Sequence, residues 1–219
     1  MSEVLRLVSD ELDAYAREHT TPPAPHLEAL AAQTRERLPK SHMLTGPIEG
    51  GLLETLVFLA RPRLVVDVGT YSGHSALSMA ASLPPGGRIV SCEVDPDIAA
   101  FARRNIDASP YADRIEVRVG PAVDTIESLA EPVDLAFVDA DRPSLVDYYE
   151  ALMAQLSQRG VIVVDNTLWR GKVVEPEGDR DAELIAAFND HVARDERSVC
   201  VLLPVRDGMT LIRRAKTRS

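Results

Sequence analysis

Acidic and amide side chains follow two apolar runs in the second half of the chain. Asp139 directly follows one run, and Asp165 and Asn166 follow the next. If both runs are strands of one parallel sheet, their carboxyl ends lie along the same edge and the three side chains converge there. Such residues often cap a helix or a turn. Three hard oxygen donors at neighbouring strand ends instead favour a divalent-cation site, with Mg²⁺ as the typical ion.

A glycine-containing turn interrupts the segment 64–75, which reads LVVDVGTYSGHS. The apolar run before Gly69 is typical of a buried parallel strand, and the residues after Gly73 resume as a helix. Glycine lets the backbone turn tightly and lets a ligand approach without a Cβ in the way. The segment therefore predicts a small-molecule site at the carboxyl end of the first strand, where open α/β sheets bind ligands.

Glu93 ends the next apolar run, about 20 residues beyond the glycines, where a carboxylate can accept both hydroxyls of a ribose. This spacing favours an adenosine ligand over a plain turn with a solvated acid. The G-x-G-x-x-G pattern of dinucleotide sites is absent, since Tyr71 occupies the place of its second glycine. NAD and FAD are therefore the poorer candidates.

Strands and helices alternate through the rest of the chain, which predicts βαβ units and a parallel sheet. An Asp207-Gly208 pair between two apolar runs near the end predicts a hairpin and a last, antiparallel strand. The expected class is α/β, with a Rossmann-like seven-stranded sheet, mostly parallel, and helices on both faces. The predicted strands are 64–68, 88–94, 115–119, 135–138, 161–164, 199–205 and 209–213, and the helices between them are 75–82, 96–108, 122–129, 144–156 and 181–193.

The residues before this core are predicted to be helical. We expect a single domain over residues 1–219, with a helical cap and loop at 1–46 and the Rossmann-like core at 47–219. The apolar stripes between residues 4 and 38 have to be buried somewhere, either over the acceptor pocket or in a dimer interface.

Composition narrows the class of protein. The 219 residues carry a formal charge of −10, which argues against a general nucleic-acid surface or an anionic membrane surface. Cys92 and Cys200 both fall in strand-like runs, so buried thiols are expected in place of a disulfide or metal site. No apolar signal core or membrane-spanning run is present in the sequence. A soluble cytoplasmic protein without nucleic-acid partners is the expectation.

Several of these segments together resemble the metal-dependent O-methyltransferases of the caffeoyl-CoA and catechol type. The resemblance covers nearly the whole chain from residue 40 on, in order and with matching spacing. It implies S-adenosylmethionine as methyl donor, Mg²⁺ or a similar cation, a small hydroxylated acceptor and a homodimer. The segments that carry it are DVGTYSGHS at 67–75, GPA at 120–122, FVDAD at 137–141, DNTLWRGKV at 165–173 and LPVRDGMTL at 203–211.

The resemblance also implies residue roles. The metal ligands would be Asp139, Asp165 and Asn166, and Asp139 would also border the donor and serve catalysis. Glu93 would bind the ribose of the donor. The residues with an implied donor contact are Met43, Thr45, Asp67, Gly69, Tyr71, Ser75, Glu93, Pro121, Ala122 and Asp139.

Arg142 departs from the family pattern, in which a lysine commonly stands three residues after the first metal aspartate and is assigned as general base. A guanidinium stays protonated and cannot accept a proton. The cation alone then acidifies the acceptor hydroxyl, or another group is the base, or Arg142 holds an anionic part of the acceptor. An exposed arginine at a helix start is the alternative without a function.

Three other functions remain open from the sequence. A tRNA hydroxyl-base O-methyltransferase of the same family is one, although the negative charge makes it the lesser choice. A nicotinamide-dependent oxidoreductase and a non-catalytic protein that binds an adenosine ligand are the others. The missing glycine pattern counts against the first of these two, and the three-residue metal set counts against the second.

Overall fold

Seven apolar runs form the strands of one sheet in the computed structural model, which describes residues 8–39 and 44–216. Their order in the sheet is β3-β2-β1-β4-β5-β7-β6. The strands are β1 (Leu64–Val68), β2 (Arg88–Glu93), β3 (Ile115–Val119), β4 (Val133–Val138), β5 (Leu156–Asp165), β6 (Ser198–Leu203) and β7 (Met209–Arg214).

Eight α-helices lie before and between the strands in the described part of the chain, together with 3₁₀ turns at Ala112–Arg114 and Trp169–Val174. Local signals set their starts: Asp95 caps the helix that begins at Pro96, and Asp179 caps the one that begins at Arg180. The helices are α1 (Asp10–Glu18), α2 (Pro25–Arg37), α3 (Pro47–Ala60), α4 (His74–Ala80), α5 (Pro96–Asp107), α6 (Ala122–Glu127), α7 (Leu145–Gln155) and α8 (Arg180–Arg194).

The strand directions confirm the predicted fold class. Strands β1 to β5 pair in parallel, and β7 runs antiparallel to both β5 and β6. The last strand is thus inserted between β5 and β6, so the hairpin signalled by Asp207-Gly208 leaves β6 at the edge. The strand order reverses between β1 and β4, which places a ligand crevice at their carboxyl ends.

Helices cover both faces of the sheet, so the protein has two apolar layers. Alternate residues of β1 enter opposite layers: Val66 packs with α6, α7 and α8, and Val65 packs with α2 to α5. All five residues of β1 are buried, which explains why this strand is a nearly continuous apolar run.

Strand β5 begins earlier than the sequence predicts. The prediction placed a strand at 161–164 and a helix up to residue 156, because residues 157–160 are polar or glycine. In the structure β5 begins at Leu156, which pairs with Val133 across a register irregularity in β4. Gln158 and Arg159 are exposed, and residues 157–160 form an irregular stretch of the strand between Leu156 and Val161, which both pair with β4.

The first two helices differ in how many of their residues are buried. Helix α2 buries Leu27, Leu30 and Thr34 against the sheet layer, whereas α1 has no buried residue. Leu12 and Tyr15 on α1 are 61% and 60% exposed. The apolar stripe of α1 is therefore not covered by any of residues 8–39 and 44–216, and the predicted dimer interface or acceptor cover stays a prediction. The part of the predicted stripe before residue 8 lies outside the described residues.

Two expectations from composition can be compared with the structure. Both cysteines are free; Cys92 is buried as predicted, and Cys200 is only half-buried. Across residues 8–39 and 44–216, each helix is too short or too polar to cross a bilayer. A cytoplasmic location stays a prediction.

Asp195 joins α7 to the loop after α8. It accepts hydrogen bonds from the Tyr149 hydroxyl at 2.7 Å and from the Arg197 backbone N–H at 2.8 Å, and it pairs with the Arg197 guanidinium at 2.6 Å. These hydrogen bonds, those of Arg197 first, hold the pKa of Asp195 far below its usual range. A lowered carboxyl pKa stabilises the fold above the unfolded-state pKa, and this contribution is lost as the pH falls.

We expect Asp195→Asn to lower the free energy of unfolding at pH 7 by about 1.5–3 kcal/mol, the range for hydrogen bonds to a charged group. The gap from the unsubstituted protein should shrink as the pH falls below about 4, the usual aspartate pKa. Urea unfolding at several pH values measures both. Asp190→Asn is the control, because Asp190 pairs only with exposed Arg194 in an i,i+4 pair. A gap that widens toward low pH would contradict the argument.

Candidate donor and cation site

The turn after β1 and the chain after β4 touch at the switch point of the sheet. The Asp139 backbone N–H donates to the Val68 carbonyl at 2.9 Å. Gly69 has a φ of +102°, and a Cβ there would lie 2.1 Å from the Asp139 carbonyl oxygen. Only glycine fits this backbone contact. A shift of the predicted donor turn would therefore also move Asp139, the first predicted metal ligand.

A small pocket opens beside this contact. Five residues with a predicted donor role line it, and they come from three separate parts of the chain. The Ser72 hydroxyl, also in the lining, is buried and has no hydrogen-bond partner. The lining residues are Thr45, Gly69, Thr70, Tyr71, Ser72, His74, Ser75 and Asp139.

Asp67 supports the turn from below. It is fully buried and accepts hydrogen bonds from Ser91 Oγ at 2.6 Å and from Ser75 Oγ at 3.1 Å. Burial raises the pKa of Asp67 to about 7, and the two serine hydroxyls oppose that rise. Ser75 is thus held by Asp67 at the start of α4.

Glu93 lies at the end of β2 and also contacts the donor turn. Its Oε2 accepts from the Tyr71 backbone N–H at 2.9 Å, and its Oε1 accepts from the Asp95 backbone N–H at 3.1 Å. Each oxygen has a further lone pair for a ligand hydroxyl. Tyr71 has a φ of +45°, and its hydroxyl donates to the Pro39 carbonyl at 2.7 Å.

The other predicted donor residues are only partly placed by the structure. Pro121 and Ala122 lie at the start of α6, next to the end of β3. Gly120 brings this segment to β2, since its N–H donates to the Glu93 carbonyl at 2.9 Å. Met43 lies outside the described residues.

Three carboxylates cluster beside the pocket, of which Glu49 and Asp165 are buried and Asp139 is half-buried. Each of Glu49, Asp139 and Asp165 offers one oxygen, and these oxygens all lie within 4.8 Å of one another. Glu49 comes from α3, and the two aspartates come from the ends of β4 and β5. The Arg206 guanidinium donates to Glu49 Oε2.

Burial makes these negative charges costly. Burial and the neighbouring Asp165 raise the pKa of Asp139 to about 7, and burial and Glu49 raise the pKa of Asp165 to about 8. Burial also raises the pKa of Glu49, against the opposing charge of Arg206. A cation bound among the three would remove the mutual repulsion.

The unpartnered oxygens of the cluster fit such a cation. Glu49 Oε1 and Asp165 Oδ1 are buried and accept no hydrogen bond from any residue that the structure describes. Buried carboxylate oxygens are rarely left without a donor or an ion. The donor set of hard oxygens is the one that Mg²⁺ prefers.

Asn166 lies beside the cluster but is bound to other groups. Its Oδ1 accepts from Arg142 Nη2 at 2.9 Å, and its Nδ2 donates to Asp165 Oδ2 at 3.0 Å. Arg142 also donates to the Ala140 carbonyl and stacks over the Trp169 ring at 5.0 Å. The structure therefore brings Asp139 and Asp165 together as predicted, with the Glu49 carboxylate beside them and the Asn166 amide next to Asp165.

Comparisons with known proteins identify the family of the chain. An O-methyltransferase family model matches residues 17–215. The chain belongs to the O-methyltransferase family. Mouse catechol O-methyltransferase domain-containing protein 1 is 34% identical over 201 residues, which cover 89% of this chain and 74% of that protein. Maize caffeoyl-CoA O-methyltransferase 1 is 32% identical over 224 residues, 96% of this chain and 87% of that protein.

Solved O-methyltransferases share the fold. The Podospora anserina methyltransferase PaMTH1, bound to SAH, superposes with a TM-score of 0.88 at 27% identity, over 94% of this chain and 95% of that one. The Bacillus cereus O-methyltransferase in complex with SAH superposes with a TM-score of 0.85 at 27% identity, over 94% of this chain and 97% of that one. The predicted enzyme class, an S-adenosylmethionine-dependent O-methyltransferase, is confirmed.

The sequence analysis missed two residues at the carboxylate cluster, Glu49 and Arg206. Glu49 carries a local signal, because it is a charged residue one turn after Thr45 in the otherwise apolar start of α3. Arg206 carries none, since it looks like an ordinary turn residue before Asp207-Gly208. Their contact joins residues 157 positions apart.

Glu93→Ala should weaken binding of S-adenosylhomocysteine by at least about 1.5 kcal/mol, the value typical of a hydrogen bond to a charged group. The variant removes the predicted ribose contact and the acceptor of the Tyr71 N–H. Calorimetry on the variant measures the loss, and Asp97→Ala, an exposed carboxylate on the next helix, is the control. An unchanged affinity would remove Glu93 from the donor site.

Proposed function

We propose that this enzyme transfers a methyl group from S-adenosylmethionine to one hydroxyl of a small catechol-like or vicinal-diol acceptor, assisted by a divalent cation. The contact between Gly69 and Asp139 supports the proposal, because it joins the turn after β1, where the donor would bind, to one member of the carboxylate cluster. A methyl group and an acceptor oxygen have to come within roughly 3 Å in line for transfer.

The donor would be held by the turn after β1. Glu93 would accept the ribose hydroxyls, and the pocket from Thr45 to Ser75 would receive the methionine part. Asp67 is already satisfied by Ser75 and Ser91, so its role is to position the turn. The unpartnered Ser72 hydroxyl is a free donor inside the same pocket.

The cation would be held by the predicted set of Asp139, Asp165 and Asn166, of which the two aspartates have converging oxygens. When bound there, it would lower the pKa of an acceptor hydroxyl and fix the reacting oxygen. Arg142 cannot take the proton, since a guanidinium has no free lone pair at working pH. Its contacts instead fix the Asn166 amide and the Trp169 ring beside the cluster.

Arg142→Ala should raise the acceptor KM more than it lowers kcat, and donor binding should stay intact. The reason is that Arg142 shapes the acceptor side through Asn166 and Trp169. Arg142→Lys should keep the charge and restore the lysine that relatives use, so the rate on simple catechols should rise. Steady-state kinetics on both variants test this. A large fall in kcat with an unchanged KM would place Arg142 in the transition state.

A screen of vicinal-diol acceptors with labelled donor, with and without Mg²⁺, tests the proposed function. Transfer to a diol only in the presence of Mg²⁺ is the expected result, with mono-hydroxy analogues as the control. Transfer to tRNA and to no small diol would favour the nucleic-acid alternative. Donor binding without any transfer would favour the non-catalytic alternative.

We also propose a homodimer. Exposed apolar side chains of α1, such as Leu12 and Tyr15, are not covered by the residues that the structure describes, and a second copy of the chain would bury them. Sedimentation at micromolar concentration tests this, and a clean monomer would contradict it.

A further inference from the structure

We propose that Glu49 is itself a ligand of the divalent cation, as a third carboxylate beside Asp139 and Asp165, and that Arg206 is the positioning residue that holds it. The inference rests on the proposed function, because it concerns the same cation. The sequence predicted ligands only from the strand ends, and the inference adds a ligand from α3.

The first support is an unpartnered oxygen. Glu49 is 2% exposed, and Arg206 donates to its Oε2, while its Oε1 accepts no hydrogen bond from a described donor. Leaving a buried charged group without a partner is costly. The Glu49 and Asp165 carboxyls are close enough to share a proton, and a divalent cation would satisfy both in its place.

The second support is distance. The oxygens that Glu49, Asp139 and Asp165 offer lie within 4.8 Å of one another. Oxygens that bind one Mg²⁺ at about 2.1 Å are separated by about 3 Å when adjacent and about 4.2 Å when opposite. The cluster therefore needs only a small contraction to bind one ion with all three carboxylates.

The third support is the state of Asn166. Its amide oxygen accepts from Arg142, and its amide nitrogen donates to Asp165. An N–H₂ group cannot bind a cation, so the amide faces the cluster with the wrong atom. The contact with Arg142 thus leaves a ligand position that Glu49 is placed to fill.

Arg206 fixes the orientation of Glu49. Its backbone has a φ of +53°, which is uncommon for a residue other than glycine. Its guanidinium passes close to the start of α3, where a Cβ on Gly46 would lie 2.8 Å from Nη1. The guanidinium takes one oxygen of Glu49 and leaves the other directed at the aspartates.

Titration of the metal-free full-length protein with Mn²⁺ alone, followed by electron paramagnetic resonance, tests the inference. Glu49→Gln keeps the side-chain shape, and its carbonyl can stay with Arg206, so an N–H₂ group replaces the unpartnered oxygen. We expect Mn²⁺ affinity to fall at least about tenfold, the lower end for lost support of a metal site. Asn166→Ala should have the smaller effect. Glu54→Gln, an exposed change on the same helix, is the matched control.

S-adenosylhomocysteine affinity of the same metal-free samples is the second readout, and it should be unchanged in Glu49→Gln. If Glu49→Gln weakens donor binding and leaves Mn²⁺ binding intact, Glu49 belongs to the donor's ammonium group and the inference is wrong. If Asp165→Ala loses Mn²⁺ binding but Glu49→Gln does not, the inference fails and the proposed function survives. If the unsubstituted protein binds no Mn²⁺, both fail.

A second variant distinguishes the loss of a metal ligand from a folding defect. Glu49→Gln leaves the Arg206 charge half-buried, whereas Glu49→Gln combined with Arg206→Gln removes both charges. The double variant should fold with a normal circular dichroism spectrum and still bind Mn²⁺ at least about tenfold more weakly. Normal Mn²⁺ affinity in the folded double variant would overturn the assignment of Glu49.

Discussion

Gly69→Ala is expected to abolish methyl transfer and to weaken S-adenosylhomocysteine binding about 100-fold or more, the loss that a displacement of about 1 Å can cause. The added Cβ would lie 2.1 Å from the Asp139 carbonyl, so the turn after β1 and the chain after β4 have to separate. That movement displaces the donor turn and a predicted metal ligand together. The positive φ adds a strain of order 1–3 kcal/mol.

Gly86→Ala is the matched control for this prediction. Gly86 also has a positive φ, +78°, but a Cβ there has nothing within 4 Å. It should therefore carry the backbone strain without the clash and keep normal donor binding. Calorimetry with S-adenosylhomocysteine and thermal unfolding separate the two effects. Normal donor affinity in Gly69→Ala would show that the backbone contact does not organise the site.

Asp165→Ala is expected to lower kcat/KM by about 10³-fold, since a bound cation supplies several kcal/mol of stabilisation in such reactions. Asp165 belongs to the carboxylate cluster and has an unpartnered oxygen. The pocket residues around Gly69 are unchanged in this variant, so binding of S-adenosylhomocysteine should persist.

Steady-state kinetics and Mn²⁺ titration measure the two consequences of Asp165→Ala in parallel. Asp147→Ala, an exposed acid on α7, is the control for a change in net charge. A variant that keeps its rate while losing Mn²⁺ binding would separate the cation from catalysis and contradict the proposed function.

Much of the fold could be predicted because the decisive signals are local. Strands β1 and β3 have the predicted bounds, since each is a short apolar run between turn residues. The Asp207-Gly208 pair predicted the hairpin, because it is a local turn signal between two apolar runs. The start of β5 was predicted incorrectly, because residues 157–160 look like a loop and belong to the strand only through Leu156 and Val161 on either side, which pair with β4. Propensity alone cannot reveal such pairing.

The candidate site likewise contains residues that local signals predict and contacts that only the tertiary structure reveals. Gly69, Glu93, Asp139 and Asp165 were found from their places at strand ends, which the parallel topology brings to one edge. The Glu49–Arg206 contact could not be found that way, because it depends on how α3 and the β6–β7 loop meet in three dimensions. The hydrogen bond from Arg142 to Asn166 was equally hidden, since a rotamer and not a spacing decides it.

Methyl transfer from labelled S-adenosylmethionine before and after exhaustive chelation tests the central claim most directly. The rate on the best vicinal-diol acceptor should fall by about 10³-fold in the metal-free protein and return on titration with Mg²⁺. S-adenosylhomocysteine affinity, measured on the same metal-free sample, should be unchanged. Full transfer activity in the chelated protein would contradict the claim that a cation at Asp139 and Asp165 assists the reaction.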